Sequence, residues 1–131
     1  MKGELIMFKN YKKLYKKLVN KLKALYAIRK SNKWMADKES EDICNYYEGY
    51  HDTLNNFYNG CLSKYIECYK THNIKIINYK KRYLNIVYYI NYLNHEAMSD
   101  TLFYGPDDKY TNGVLDCARD LLSAIIIVIS Q

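Results

Sequence analysis

The chain has 131 residues, of which 49% are hydrophobic and 26% charged, with one proline and five glycines. This length suits one domain with a substantial core, and the apolar content excludes a disordered chain. The net charge of +6 is uneven, because residues 1–34 carry eleven Lys and Arg against Glu4 while residues 35–131 are net negative. We expect one helical domain over 1–131 and an acidic partner for its basic N-terminal part, or neutralisation of that part by the acidic body.

Composition also bears on source and compartment. The chain is rich in Lys, Asn, Ile and Tyr, as AT-rich codons dictate, which favours a phage, a low-GC bacterium, a poxvirus-like virus or a protozoan parasite. The first residues lack the apolar core of a signal peptide, and the apolar run 121–129 is shorter than the ~20 residues of a membrane span. We expect a cytoplasmic protein of a bacterial or infected host cell. Its cysteines, Cys44, Cys61, Cys68 and Cys117, lack C-x-x-C spacing and are expected to be free thiols.

The first predicted helix covers Phe8 to Ile28 and divides into two faces at 100° per residue. Its apolar face consists of Phe8, Tyr11, Leu14, Tyr15, Leu18, Val19, Leu22, Leu25 and Tyr26. Its basic face consists of Lys9, Lys12, Lys13, Lys16, Lys17, Lys21 and Lys23. We expect the helix to end near Ile28, because Arg29 would fall on the apolar face. A polar connection would then lead to Asp37 as the next N-cap.

The second predicted helix runs from about Lys38 to Lys70. A stripe at alternating four- and three-residue steps comprises Ile43, Tyr47, Tyr50, Leu54, Phe57, Cys61 and Cys68. This spacing is typical of a coiled coil, but Lys64 interrupts it and favours a hairpin within a bundle. Gly49 and Gly60 each cost ~1 kcal/mol relative to alanine in a helix, which indicates close backbone approach, a bend or a break.

The third predicted helix covers roughly Lys75 to His95, although residues 74–79 could also form a short strand. Its apolar face comprises Ile76, Ile77, Tyr79, Tyr83, Leu84, Ile86, Val87 and Ile90. The outward face comprises Lys81, Arg82, Asn85, Tyr89 and Tyr92. The main loop is expected over Asn94–Asn112, where Gly105-Pro106-Asp107-Asp108 is the strongest turn signal.

The last predicted helix begins near Pro106 or Asp107. Val114, Cys117, Ala118, Leu121, Leu122 and Ile125 are expected in its core face, and Asp116, Arg119, Asp120 and Ser123 outside. From Ile126 the residues are apolar all round. This run is buried, contacts a partner or forms a short C-terminal strand, and we favour burial.

An internal repeat relates residues 46–52 to residues 110–116. Both read Y-x-x-G-x-x-D, and both precede an apolar helix. Two related hairpins, with glycine allowing close helix packing, would explain this. Three identities are weak evidence, however, and we favour coincidence.

Residues for chemistry are sparse. Asp116 and Asp120 are four residues apart on one helix face and are expected to be solvated. Cys44 and His51 are two turns apart, too far to share a metal unaided. Gly-rich phosphate loops, H-E-x-x-H and G-K-[ST] are absent. We therefore predict a non-enzymatic protein and assign no catalytic, cofactor-binding or metal-binding residue.

The best binding candidates are two basic surfaces. They comprise Lys9, Lys12, Lys13, Lys16, Lys17 and Lys21 on the first helix, and Lys81 and Arg82 with Tyr89 and Tyr92 on the third. Cations interleaved with exposed aromatics can neutralise phosphates and stack on bases. Lysines outnumber arginines seventeen to three, so any nucleic-acid contact should be with the backbone rather than with base edges. A merely solvated lysine face is the alternative.

These patterns predict an all-α antiparallel bundle of about four helices, two of them long. The expected function is stoichiometric binding to an acidic protein surface or nucleoprotein. A phage or viral inhibitor of a host nucleic-acid enzyme such as a CRISPR effector would act in this way. The alternatives are a non-specific DNA/RNA-binding protein, a small immunity-type protein and, least favoured, a membrane-surface protein. Apolar stripes on long helices also suit a homodimer.

Overall fold

The computed structural model describes residues 10–36, 41–61 and 78–131. These ranges form four helices, α1 (Tyr11–Ala36), α2 (Glu41–Phe57), α3 (Tyr79–Tyr104) and α4 (Lys109–Ser130). Strands do not occur in these ranges. The predicted all-α bundle is confirmed. The alternative of a C-terminal strand is wrong, because residues 125–129 belong to α4.

Every helix contributes to one apolar core. Its most buried side chains are Leu18 and Leu22 from α1, Leu54 and Phe57 from α2, Ile86 and Ile90 from α3, and Cys117 and Leu121 from α4. A second, smaller cluster joins Ala97 to Leu115 and Ala118 where α3 and α4 form an antiparallel hairpin. Small side chains allow these two helices to approach closely, and Asn94 Nδ2 donates to the Ala118 carbonyl at 2.8 Å.

Helix α1 is longer than predicted. It continues to Ala36 rather than ending near Ile28, while Phe8, Lys9 and Asp37 lie outside the described residues. Ile28 is 58% exposed. With no glycine or proline in residues 29–36, nothing in the backbone stops the helix.

Helix α2 starts at Glu41, and residues 58–61 continue it as a π-turn that includes Gly60. Such turns insert one extra residue per helical turn and mark local departures from regular packing. Tyr50, Leu54, Phe57 and Cys61 are buried, as the stripe predicts. The stripe fails at Ile43, which is 40% exposed. Cys68 and residues 62–70 lie outside the described residues.

Helix α3 extends to Tyr104, so the predicted loop over Asn94–Asn112 is reduced to residues 105–108. Asn94 does not break the helix, because its side-chain amide donates to the Ile90 carbonyl as well as to Ala118. Gly105 ends α3 at φ +90°, a conformation that glycine tolerates. Asp108, rather than Pro106 or Asp107, caps α4, and its carboxylate accepts from the Thr111 backbone N–H at 3.3 Å.

The start of α3 is capped by Asn78, whose side-chain oxygen accepts from the Lys81 backbone N–H at 3.0 Å. Tyr79 is helical, which contradicts the strand alternative for that residue. Residues 74–77 of that alternative, which include the predicted core positions Ile76 and Ile77, lie outside the described part of the chain.

The end of α4 is not buried all round. Ile125 and Val128 are buried, whereas Ile126, Ile127 and Ile129 are 56%, 40% and 62% exposed. The prediction of complete burial is wrong, because α4 presents only one face to α1 and α3 here. The other side of the last two turns is an exposed apolar surface.

The two Y-x-x-G-x-x-D motifs lie against each other where α2 and α4 cross. A Cβ added to Gly49 would lie 2.1 Å from the Tyr110 carbonyl oxygen, and one added to Gly113 would lie 1.9 Å from the Tyr46 carbonyl oxygen. Each motif's glycine therefore receives the backbone of the other motif's tyrosine. Our interpretation of the repeat as coincidence misses this reciprocal contact, and glycine does allow close helix packing.

The tyrosines and aspartates of the motifs pair in the same reciprocal way. Tyr46 Oη donates to Asp116 at 2.5 Å, and Tyr110 Oη donates to Asp52 at 2.9 Å. Tyr50 adds a further bond to Asp120 at 2.5 Å. Asp116 and Asp120 are thus half-buried acceptors, and the expectation of a solvated pair is wrong. Burial and the Asp116 carboxylate raise the pKa of Tyr46 far above 10.

Candidate binding groove at the basic end of the bundle

A groove of about 500 Å³ opens where the first turns of α1 meet the start of α3 and the end of α4. Tyr11, Leu14, Tyr83, Leu84, Val128 and Ile129 provide its apolar lining, and Asn10, Lys13, Lys17 and Gln131 provide its polar lining. Lys13 and Lys17 are one helical turn apart and both line the groove. Apolar and cationic groups therefore occur together in one concave surface, which we call the basic groove.

More lysines surround the basic groove. The Lys12 ammonium lies 5.9 Å from the Tyr79 ring centre, and the Lys80 ammonium lies 5.8 Å from that of Tyr11. These contacts bring the starts of α1 and α3 together, with Lys16 and Lys81 exposed beside them. Asp and Glu are absent from α1, from α3 before Glu96 and from α4 after Asp120. The helix segments that form this end consequently carry cations without Asp or Glu side chains.

The predicted lysine face of α1 is therefore brought together with Lys81, although not all of it borders the groove. Lys12, Lys13, Lys16 and Lys23 are exposed, whereas Lys17 and Lys21 are half-buried. Lys21 follows Lys13 and Lys17 at a four-residue step and extends their row along α1. Lys9 lies outside the described residues.

Arg82 does not belong to the exposed basic surface that was predicted. It is buried, with 8% of its surface accessible, and its guanidinium lies 5.7 Å from the Tyr15 ring centre and 5.6 Å from the Tyr79 ring centre. The weakly hydrated guanidinium plane can stack on aromatic rings at lower desolvation cost than an ammonium. Arg82 thus joins α1 to α3 and is a packing residue.

The predicted aromatic partners of the basic surface are also separated. Tyr89 is half-buried and packs on Phe57, with ring centres 5.8 Å apart. Tyr92 is 52% exposed, and the neighbouring Glu96 carboxylate raises the pKa of its hydroxyl. Of these two predicted partners, only Tyr92 is therefore exposed. Sequence periodicity missed this, because Arg82 and Tyr89 lie at the edges of the apolar face.

A second concave region lies at the α2–α4 crossing. Its lining includes Tyr46, Tyr47, Asp116 and Arg119 and encloses about 360 Å³. The tyrosine hydroxyl of Tyr46 and the carboxylate of Asp116 already bond to each other. Within the described ranges, no three His, Cys, Asp or Glu side chains are arranged to hold a metal ion. The polar groups of this region mainly join the two helices.

Among the described helices, none combines the length and apolar character required to cross a membrane. Comparison with protein-family models, characterised proteins and solved structures found no match for this chain.

Proposed function

We propose that this protein is a non-enzymatic binding module whose basic groove receives an acidic amphipathic helix of a partner protein. The observation that carries this proposal is the combination of Lys13 and Lys17 with an apolar lining in one groove. An amphipathic helix places apolar side chains at i, i+3, i+4 and i+7, so it can fill such a groove while flanking carboxylates meet the lysines.

Charge supports the choice of an acidic partner. Six lysines, Lys12, Lys13, Lys16, Lys17, Lys80 and Lys81, belong to the segments at this end, and those segments contain no Asp or Glu side chain. A surface of this kind attracts anionic partners from solution and accelerates encounter, an effect that salt screens. The apolar lining then adds affinity that does not depend on salt.

The same features favour protein over nucleic acid. Two of the residues predicted to contact bases do not support such contact, because Arg82 is buried and Tyr89 packs on Phe57. The exposed lysines remain able to contact phosphates. Such contacts would leave the apolar lining of the groove unused.

Small stoichiometric inhibitors act in this way, by covering an acidic surface of a larger enzyme. The AT-rich composition supports a phage or viral origin and, with it, a host nucleic-acid enzyme as the target. Such enzymes, including CRISPR effectors, are one class of target to which this charge distribution is suited. The immunity-type and membrane-surface alternatives draw no specific support from the groove.

The test uses a synthetic helical peptide with leucines at i, i+3, i+4 and i+7 and glutamates elsewhere, labelled for fluorescence anisotropy. A scrambled peptide of the same composition and a DNA duplex of equal charge serve as competitors. We expect the amphipathic peptide to bind more tightly than both. Lys13→Glu combined with Lys17→Glu should weaken binding at least tenfold, because attraction becomes repulsion on the groove edge.

Two control variants separate the groove from general charge and general hydrophobicity. Lys23→Glu changes an exposed lysine of α1 that does not line the groove, and it should leave affinity within about twofold of wild type once salt has screened long-range attraction. Ile129→Ser should weaken binding, whereas Ile126→Ser, at a similarly exposed position outside the groove, should not. Equal binding of the scrambled peptide, or tighter binding of the duplex, would contradict the proposal.

A further inference from the structure

Helix α3 carries a row of exposed side chains on the side opposite the core. The row comprises Leu84, Tyr88, Asn91, His95, Met98 and Leu102, at alternating four- and three-residue steps. Tyr88 is 75% exposed, Met98 55% and Leu102 88%. We call this row the α3 seam. It is independent of the charge argument for the basic groove, although Leu84 belongs to both.

The α3 seam has the spacing of a coiled-coil contact. Steps of four and three residues keep side chains on one line of a helix, where they can enter the holes of a facing helix. From Leu84 to Leu102 the line is about 27 Å long at 1.5 Å per residue. Four of its six side chains are large and apolar, although the opposite face of α3 already supplies the core through Ile86 and Ile90.

The order of residues in the α3 seam is self-complementary. The sequence position 93 is the midpoint of all three nested pairs, Leu84 with Leu102, Tyr88 with Met98, and Asn91 with His95. An antiparallel copy of α3 centred there would place apolar against apolar at both ends and polar against polar in the middle. A two-fold symmetric contact between antiparallel helices requires an order of apolar and polar side chains that is the same in both directions.

We infer that the α3 seam binds a second copy of this chain, with the two α3 helices antiparallel and centred on Leu93. Apolar outer pairs supply affinity, and a polar central pair fixes the register, as polar core positions do in coiled coils. Each subunit would then present its own basic groove. Leu102 of the second copy would lie beside Leu84, at the edge of that groove.

Charge selects the antiparallel arrangement over the parallel one. Lys80 and Lys81 begin α3, whereas the exposed Asp107 lies in the turn that follows its other end. In the antiparallel register, the start of one α3 meets the 105–108 turn of the other, so lysines approach carboxylates. Parallel helices would bring the lysines of both copies together and cost free energy.

The relative orientation of the two α3 helices is tested by oxidative cross-linking. Two variants, Leu84→Cys and Leu102→Cys, each add one cysteine to the native ones. Disulfides need Cα atoms within about 7 Å, and in the inferred register only position 84 of one copy and 102 of the other meet. We expect cross-linked dimers when the two variants are mixed. We expect no cross-linked dimers above background from either variant alone. The same holds for the wild-type chain, which contains only the native cysteines. Cross-linking of Leu84→Cys with itself would overturn the antiparallel contact.

Association is tested by sedimentation equilibrium on the full chain. We expect a concentration-dependent dimer with a dissociation constant of roughly 100 µM or tighter. Met98→Glu with Leu102→Glu should weaken it at least tenfold, because carboxylates replace apolar groups that meet in the contact. Ile126→Glu is the matched control, since Ile126 is 56% exposed and lies on α4 outside the seam.

The outcomes are distinct from those of the groove experiment. Neither Met98 nor Leu102 lines the basic groove, and neither Lys13 nor Lys17 belongs to the α3 seam. A wild-type chain that stays monomeric at millimolar concentration, or a double variant that dimerises like wild type, would overturn the inference. Association with a different helical protein through the seam, without self-association, would also overturn it.

Discussion

Alanine at Gly113 is the sharpest test of how α2 and α4 are held together. The new methyl group would lie 1.9 Å from the Tyr46 carbonyl oxygen and 2.8 Å from the Tyr50 backbone nitrogen, where ordinary contact begins at 3.4 Å. Both neighbours are backbone atoms of a helix and cannot rotate away as a side chain could. The helices must therefore separate by about 1 Å or more at the crossing.

The expected cost follows from three contributions. Overpacking costs about 1–3 kcal/mol, and stretching the Tyr46–Asp116 and Tyr110–Asp52 bonds costs about 1 kcal/mol each. The better helix propensity of alanine returns about 1 kcal/mol. We expect Gly113→Ala to lower the free energy of unfolding by roughly 2–4 kcal/mol. Gly49→Ala should have a similar effect, because its methyl group would meet the Tyr110 carbonyl oxygen at 2.1 Å.

Urea unfolding followed by circular dichroism measures the effect. At roughly 1.5 kcal/mol per molar urea, the midpoint should fall by roughly 1–3 M. Gly60→Ala is the control, because the nearest atom to its methyl group would be the movable Tyr89 hydroxyl at 3.4 Å. If Gly113→Ala is as stable as wild type or more stable, the close crossing of α2 and α4 is refuted.

Three further changes probe individual contacts. Arg82→Lys should cost roughly 1–2 kcal/mol in urea unfolding, because an ammonium stacks less well on two tyrosine rings than a guanidinium does; an unchanged midpoint would contradict the packing role. Burial and the bond to Asp52 raise the pKa of Tyr110 to about 12 in the folded chain. The contribution of the protonated Tyr110 hydroxyl to the free energy of unfolding should therefore be complete below pH 10 and decline from pH 10 towards 12. Tyr110→Phe should remove that part of the decline, and identical pH profiles would count against the bond. Burial raises the pKa of Cys61 to about 12, so mass spectrometry after brief iodoacetamide treatment should find Cys44 alkylated well before Cys61; equal rates would contradict the burial of Cys61.

Periodicity in the sequence predicts most of the core. Leu18 and Leu22 of α1 and Leu121 and Ile125 of α4 are buried where their spacing indicates. Helix ends are predicted less well. Arg29 suggests a break, yet α1 continues to Ala36. Asn94 suggests another, but its side-chain amide finds carbonyl acceptors on α3 and α4.

The candidate site is predicted only in part. The lysines of α1 could be assigned from the sequence because a long helix alternates two faces. The groove could not, because it needs α3 and α4 to meet α1 at its first turns. Arg82 and Tyr89 were assigned to the surface because each lies at an edge of the apolar face, where the neighbouring helix decides burial. The repeated Y-x-x-G-x-x-D motif was the available signal for the α2–α4 crossing.

The most direct test of the binding proposal compares two charge reversals of α1 against the acidic amphipathic peptide at about 0.15 M salt, where exposed charges beyond about 8 Å are screened. Lys13→Glu with Lys17→Glu changes the groove, and Lys23→Glu changes an exposed lysine elsewhere on the same helix. We predict at least tenfold weaker binding for the first variant and wild-type binding for the second. Equal losses in both variants would show that general charge, rather than the basic groove, attracts the peptide.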